Sequence, residues 1–203
     1  MFYELTTLSS HILKLPQVIG HAQTWLDRTD TMGRLLGIWT SENGRLGSVR
    51  ILRSFASADE LAQERIRELH HADPFGAASS ACTFECESYA AFPFLPAVEP
   101  GVFGRYYEFR TYWLNPGGLQ PTIDTWEAAM PERSKRSPLT VNMFALDGAP
   151  RITHIWPWHS LDERIAIRAQ TYADGIWPPK GGPQQFYEAT STIWIPSEDS
   201  PLR

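Results

Sequence analysis

Residues 105–118 read RYYEFRTYWLNPGG and have the pattern of a β-strand followed by a turn, near the middle of a 203-residue chain. Successive side chains of a strand point to opposite faces, so this stretch predicts two very different faces. One face has Tyr107, Phe109, Thr111 and Trp113, and the other has Glu108, Arg110 and Tyr112. The run Asn115–Gly118 ends the strand, because proline lacks a backbone donor and glycine permits a turn.

A shorter version of this stretch opens the chain as Phe2–Thr7, FYELTT. Tyr107 follows Tyr3 by 104 positions, and Ser160 follows Ser57 by 103. A nearly constant offset between different kinds of landmark indicates an internal duplication. We therefore interpret the chain as one structural unit used twice.

Each half has the same order of predicted elements. Apolar residues at helical spacing predict a first helix over 15–28 and its counterpart over 119–130. Ser57–Glu60 and Ser160–Glu163 are capping boxes that begin the second helix of each half. With the intervening strand patterns, each half is βαββαβ, the ferredoxin-like order.

The predicted fold class is α+β, with two tandem ferredoxin-like units that form a barrel-like sandwich within one chain. The expected organisation is unit 1 over 1–91, a proline-rich linker over 92–104 and unit 2 over 105–203. One face of such a sheet is covered by helices and the other is open. We expect the two open faces to be buried against each other.

The composition limits the classes of function. A net charge of −5 without a basic stripe argues against a general nucleic-acid binder. No apolar run approaches the roughly 20 residues of a membrane span, and the N-terminus has no leader pattern, so no membrane association and a cytoplasmic location are expected. Eight tryptophans favour packed aromatic walls or an aromatic pocket.

The strongest candidate site is the polar face of the strand quoted above. In a ferredoxin-like sheet this strand neighbours 152–158, which adds His154 to Glu108, Arg110 and Tyr112. These residues predict a catalytic set on the open face, with His154 as general base and its tautomer fixed by Glu108. Arg110 would stabilise an oxyanion or bind a carboxylate, and Tyr112 would donate a proton. Alternatively, Glu108 and Arg110 form a buried structural pair and His154 belongs to the core.

Four further residues are candidates for substrate binding. Trp156 and Trp158 share the face of His154 by alternation, and Trp113 lies in the quoted strand. Glu188 lies on the last strand of unit 2, where a solvated strand face is the alternative to an acid–base role. No glycine-rich phosphate loop and no nucleophile-elbow motif is found in the sequence.

The sequence resembles the NIPSNAP proteins. The aromatic–Glu–apolar–Arg–Thr–Tyr strand with a following Pro-Gly is similar to 107–112 with Pro116-Gly117, and 154–158 with Ser160 is similar to a later family pattern. The similarity covers 105–195 well. Over 2–90 it is limited to the first strand, the Gly44 turn and the Ser57 helix. The resemblance implies the dimeric α/β-barrel fold, whose members include cofactor-free monooxygenases, isomerases, lyases and haem enzymes.

These observations predict an enzyme that performs cofactor-independent acid–base chemistry of the lyase, isomerase or monooxygenase type. Its substrate would be a small apolar or aromatic molecule held in a barrel cavity. A haem with His154 as its axial ligand is an alternative, because haem need not leave a sequence motif. The other alternative is a non-catalytic module that binds a ligand or a protein. A homodimer or a higher homo-oligomer is also possible.

Overall fold

The computed structural model describes residues 1–203 and has the same order of elements in both halves of the chain. The elements of unit 1 are β1 (Phe2–Ser9), α1 (Leu15–Leu26), β2 (Arg34–Ser41), β3 (Ser48–Phe55), α2 (Ala58–His70) and β4 (Thr83–Ala91). Those of unit 2 are β5 (Tyr106–Leu114), α3 (Leu119–Ser134), β6 (Val141–Ala145), β7 (Arg151–Trp158), α4 (Leu161–Ala173) and β8 (Phe186–Pro196). The predicted βαββαβ order is confirmed in both units. None of the helices is both long and apolar enough to cross a membrane.

Both predicted capping boxes begin their helices. The Ser57 hydroxyl accepts a hydrogen bond from the backbone N–H of Glu60 at 3.1 Å, and the Ser160 hydroxyl accepts one from Glu163 at 3.0 Å. The two glutamates reach back to the N–H groups of Ala56 and His159. These bonds satisfy backbone donors that have no partner within the helix.

The eight strands form one closed antiparallel barrel in the order β1-β3-β2-β8-β5-β7-β6-β4. Each unit contributes four neighbouring strands, and the units join where β2 pairs with β8 and where β4 pairs with β6. Closure removes the free edges of both sheets, since every strand has two partners. The predicted α+β fold of two ferredoxin-like units in a barrel is confirmed.

The two units share one core, which fills the inside of the barrel. Trp39 from unit 1 packs against Tyr107 and Phe109 from unit 2, with ring centroids 5.4 and 5.3 Å apart. Trp194 of β8 packs against Phe109 with ring centroids 5.7 Å apart, and Tyr3 of β1 belongs to the same buried cluster. The aromatic face of β5 therefore points into the barrel.

The polar face of β5 points the other way, towards the helices of unit 2. Glu108 is fully buried there, and Tyr112 belongs to the apolar cluster beneath α3. The alternation was predicted correctly, but the assignment of the polar residues to the open face, and so to a barrel cavity, was wrong. Placing charged groups inside a closed barrel costs more than burying aromatic rings there.

Gly37 gives a test of how tightly the barrel interior is packed. A Cβ atom on Gly37 would lie 2.0 Å from the ring of Trp39, which is fully buried, so Gly37→Ala is expected to lower the free energy of unfolding. The expected loss is about 1–3 kcal/mol, as for other overpacked cores. Denaturant titration measures it.

Gly20 supplies the matched control. It is exposed within α1, and a Cβ atom there meets nothing within 4 Å. Gly20→Ala is therefore expected to stabilise the protein by about 0.5–1 kcal/mol, since alanine favours a helix interior. Equal effects of the two changes would contradict this description of the core.

Candidate active site in the second unit

The candidate site lies between the sheet of unit 2 and its two helices. Strand pairing aligns Arg110 with His154 and Glu108 with Trp156 across β5 and β7. Because directly paired residues point to the same face, these four side chains lie together with Tyr112. The predicted grouping of His154 with the polar face of β5 is thus observed.

The buried side chains between the sheet of unit 2 and its helices form a polar layer, and Glu108 is its electrostatic centre. Its Oε1 atom accepts hydrogen bonds from Ser191 at 2.6 Å, Arg164 at 2.7 Å and Arg110 at 2.8 Å, and Trp158 donates to Oε2 at 3.3 Å. Burial alone would raise the pKa of Glu108, but the hydrogen bond from Arg164 and the charge of Arg110 outweigh it and lower the pKa to about 2. Glu108 is therefore a permanent carboxylate that orders its neighbours.

Arg110 connects this carboxylate to a phenol. Its Nη1 atom donates to Glu108, and its Nε atom donates to the Tyr112 hydroxyl oxygen at 2.9 Å. Burial raises the pKa of Tyr112 despite the opposing charge of Arg110, so the phenol stays protonated. Since the oxygen already accepts from Arg110, the O–H group is directed away and can donate to a ligand.

His154 is held by an indole and not by a carboxylate. The Trp156 Nε1–H donates to His154 Nδ1 at 2.6 Å, and an indole nitrogen can only donate. The proton of the neutral imidazole is therefore on Nε2, which has no hydrogen-bond partner. The expectation that Glu108 fixes the tautomer is wrong, because Trp156 does so.

The surroundings of His154 also argue against a general base. The ring is 1% exposed and lies edge-on to Tyr112 and Trp126, each 4.8 Å away between centroids. Burial, and next the charge of Arg110, hold its pKa well below the ordinary 6.5. His154 thus has no free lone pair and no route to solvent, which corrects its expected role as the base.

None of the four residues expected to bind substrate lines the cavity of unit 2. Trp156 and Trp158 are buried, and their N–H groups hold His154 and Glu108. Trp113 and Glu188 pair across β5 and β8 on the opposite face of the sheet, where Glu188 is exposed. Alternation along β5 separates Trp113 from the polar residues, so these positions correct the sequence-based expectation.

A cavity of about 340 Å³ opens beside Arg110 and Tyr112, within the size range of small-molecule sites. Its walls are mainly aromatic rings and prolines from β5, α3, α4, the segment after α4 and β8. The main lining residues are Arg110, Tyr112, Trp126, Tyr172, Trp177 and Phe186. The ring centroids of Trp126 and Trp177 lie 4.7 Å apart, and the two rings are perpendicular.

Sequence reasoning did not identify Trp126, Trp177 or Phe186 as site residues. Trp126 has the apolar spacing of α3, and Trp177 stands in the Trp-Pro sequence after α4, so both have visible signals. Neither signal distinguishes a cavity wall from an ordinary core, because both use the same apolar side chains.

His154 does not fit a haem. An axial ligand needs a free imidazole nitrogen facing the iron. Nδ1 of His154 is taken by Trp156, and Nε2 is buried among the rings of Tyr112 and Trp126.

In unit 1, one group of potential metal ligands is already neutralised. Glu4, Glu68 and Cys86 place ligand atoms within 4.8 Å of one another. Arg53 is hydrogen-bonded to both carboxylates, at 2.5 Å for Glu4, and would repel a cation.

The closed barrel of two βαββαβ units is the dimeric α/β-barrel fold, and here both units belong to a single chain. The NIPSNAP family model matches residues 3–85 and 107–201, and the chain therefore belongs to the NIPSNAP family. A curated relative, Protein NipSnap homolog of Dictyostelium discoideum, is 26% identical over 148 residues. That match covers 70% of this chain and 65% of the relative.

Two solved structures share the fold along the whole chain. An "anthrone oxidase-like protein" has a TM-score of 0.65 at 12% identity, covering 100% of this chain and 94% of the other. A "putative monooxygenase" from Lactobacillus acidophilus NCFM has a TM-score of 0.67 at 6% identity, covering 96% and 93%. At 12% and 6% identity, the similarity shows that this chain has the same fold as these two proteins, and it shows the fold alone.

The burial of His154 predicts how stability depends on pH. The unfolded chain protonates His154 near its ordinary pKa of 6.5, whereas the folded protein keeps it neutral. Acidification below that pH therefore favours unfolding, by up to about 1.4 kcal/mol per pH unit. His154→Gln, which can still accept from Trp156 but does not titrate, is expected to lose less stability between pH 7 and 5.

Denaturant titrations of both proteins across this pH range measure the effect. Glu68, whose pKa is raised to about 8 by burial and by Glu4, changes stability in the opposite direction but equally in both proteins. Parallel pH profiles for the two proteins would show that His154 reaches solvent in the folded state.

Proposed function

We propose that this protein is an enzyme that performs acid–base chemistry on a small apolar or aromatic substrate bound in the cavity of unit 2. Lyase, isomerase and cofactor-free monooxygenase reactions of this kind have in common an enolate- or phenolate-like oxyanion. The observation that supports the proposal is the Tyr112 hydroxyl, which lines the cavity and accepts a hydrogen bond from Arg110. This arrangement favours developing negative charge on a substrate oxygen.

Each polar group has a defined part in the proposed chemistry. Tyr112 donates a hydrogen bond to the substrate oxygen and keeps its proton, while the proton on the neighbouring carbon is transferred to water and the negative charge develops on the oxygen. Arg110 stabilises the resulting charge, because its guanidinium stays positive and fixed by Glu108. Preorganised donors of this kind contribute about 10²–10³ in rate. Glu108, with four donors around it, positions Arg110 and does not transfer protons.

The proton-transfer step uses only these side chains and water, and a monooxygenase reaction would in addition consume dioxygen as its oxidant. The names of the two structural neighbours agree with oxygenase-type chemistry at the level of fold analogy alone. The direct physical support is the pairing of a protonated phenol with an arginine at the edge of an aromatic cavity.

A non-catalytic role in ligand binding is the second candidate. One observation favours it: His154, the one titratable group of this layer with an ordinary pKa near neutrality, is enclosed and does not line the cavity. A cavity with donors and no base binds an oxygen-containing ligand without converting it.

Proton exchange separates the two candidates without knowledge of the natural substrate. In D₂O, the protein is expected to accelerate deuterium uptake at the acidic carbon of 2-tetralone, a bicyclic aromatic ketone, as followed by proton NMR. Tyr112→Phe keeps the ring and is expected to lower this rate by about 10²-fold or more with little change in thermal midpoint.

Tyr89→Phe is the matched control. Tyr89 is a buried phenol that bonds Thr153 at 3.2 Å inside the barrel, away from the cavity, so exchange is expected to continue. Binding of 2-tetralone without accelerated exchange in the unmodified protein would favour the non-catalytic candidate.

A further inference from the structure

The polar layer of unit 2 has more positive charge than its carboxylate can balance. Arg110 and Arg164 share one oxygen of Glu108, at 2.8 and 2.7 Å. Arg133 and Arg168 have no carboxylate within 4 Å, although the charges of both act on the same group of residues. Two of the four guanidinium groups in this layer therefore contact Glu108, and the other two have no carboxylate partner.

Arg133 is a buried cation with an incomplete set of partners. Its side chain is 2% exposed in the structure, and its one hydrogen bond goes to Ser137 at 2.5 Å. Its Nε atom has no partner, and its guanidinium lies 4.3 Å from the centre of the Trp156 ring. Burial, followed by the charge of Arg168, lowers the pKa of Arg133 to about 10. The protein alone therefore leaves this charge poorly compensated.

Arg168 is half-buried on α4 and forms neither a side-chain hydrogen bond nor an ion pair. Burial, and next the charge of Arg110, lower its pKa. Its guanidinium lies 5.8 Å from the ring of Tyr172, which lines the cavity. A cation held there without a partner leaves room for an anion.

Unit 1 provides an internal comparison, because the same layer of the same fold is compensated there. Glu4 stands where Glu108 stands, 104 positions earlier, while Thr6 and Leu8 take the places of Arg110 and Tyr112. The layer in unit 1 has three arginines and three glutamates, namely Arg53, Arg65 and Arg67 with Glu4, Glu64 and Glu68.

In unit 1 the carboxylates crowd one another instead. Burial, followed by the charge of Glu4, raises the pKa of Glu68 to about 8. The fold therefore does not require an excess of arginine beneath its helices. The excess in unit 2 is a property of that site.

The surplus charge borders the aromatic cavity. Arg110 and Tyr112 line it directly, and Arg133 lies 5.7 Å from the ring of Trp177 in its wall. The Nη2 atom of Arg110 makes no hydrogen bond within the protein, since only Nε and Nη1 are engaged. A planar ligand between Trp126, Trp177 and Phe186 would bring an anionic group attached to it close to Arg110.

We propose that the cavity of unit 2 binds an aromatic carboxylate, with its ring system between Trp126, Trp177 and Phe186 and its carboxylate at Arg110 and Arg168. This inference names the ligand class of the site and rests on the proposed function only in using the same cavity. A carboxylate matches the fork of a guanidinium and accepts two hydrogen bonds from it.

The test compares two probes of equal shape, 2-naphthoate and the uncharged 2-naphthamide, by isothermal titration calorimetry. The unmodified protein is expected to bind the carboxylate at least about tenfold more tightly, as for hydrogen bonds to a charged group. Arg168→Gln is expected to remove most of this preference and to leave the affinity for the amide unchanged. Its thermal midpoint should stay nearly unchanged, because Arg168 loses no hydrogen bond or ion pair and only a 5.8 Å contact with the ring of Tyr172.

Arg65→Gln is the matched control, since Arg65 lies 103 positions before Arg168 and faces the compensated layer of unit 1. It is expected to leave the preference for naphthoate intact. Equal binding of both probes would overturn the anion assignment while leaving the proposed function in place. Failure of both probes to bind at millimolar concentration would overturn the aromatic cavity itself, and loss of preference in Arg65→Gln would place the anion elsewhere.

Discussion

The closing of the barrel is the constraint on which the rest of the structure depends. Neither sheet can leave its open face in water, because β1 presents Tyr3 and Leu5 on that side and β5 presents Tyr107 and Phe109. Burying the two faces against each other joins β2 to β8 and β4 to β6 and fills the interior with Trp39, Phe109 and their neighbours. These side chains fill the barrel interior, and the cavity of unit 2 lies instead between its sheet and its own helices.

The two copies of the unit use that layer differently. In unit 1, Arg53 is buried and ion-paired with three glutamates, and the charges hold α2 on the sheet. In unit 2 a tryptophan, Trp156, replaces that arginine, and its indole holds His154. The remaining carboxylate, Glu108, then has to serve several arginines at once. Removing acids and adding aromatic rings changes a self-compensated layer into one with a cavity and a surplus of positive charge.

The site could be located from the sequence more readily than its chemistry could be assigned. Alternation along β5 and the adjacency of β7 are enough to place Glu108, Arg110, Tyr112 and His154 on one face. The role of His154 depends on which ring nitrogen carries the proton. The hydrogen bond from Trp156, two residues away on the same strand, decides this. Trp177 and Phe186 could not be placed in the wall, because loops and strand ends have no periodicity to fix their direction.

The sequence by itself determined the duplicated βαββαβ order, the helix starts at Ser57 and Ser160, and the two-faced character of β5. These features depend on local rules, namely capping, strand alternation and a constant offset between repeats. Only the tertiary structure decided which face of β5 turned inward, because that choice depends on what the other unit offers across the barrel. It also decided the protonation of His154 and the uncompensated charge of Arg168, since the electrostatic energy of a buried group depends on all the charges around it in space.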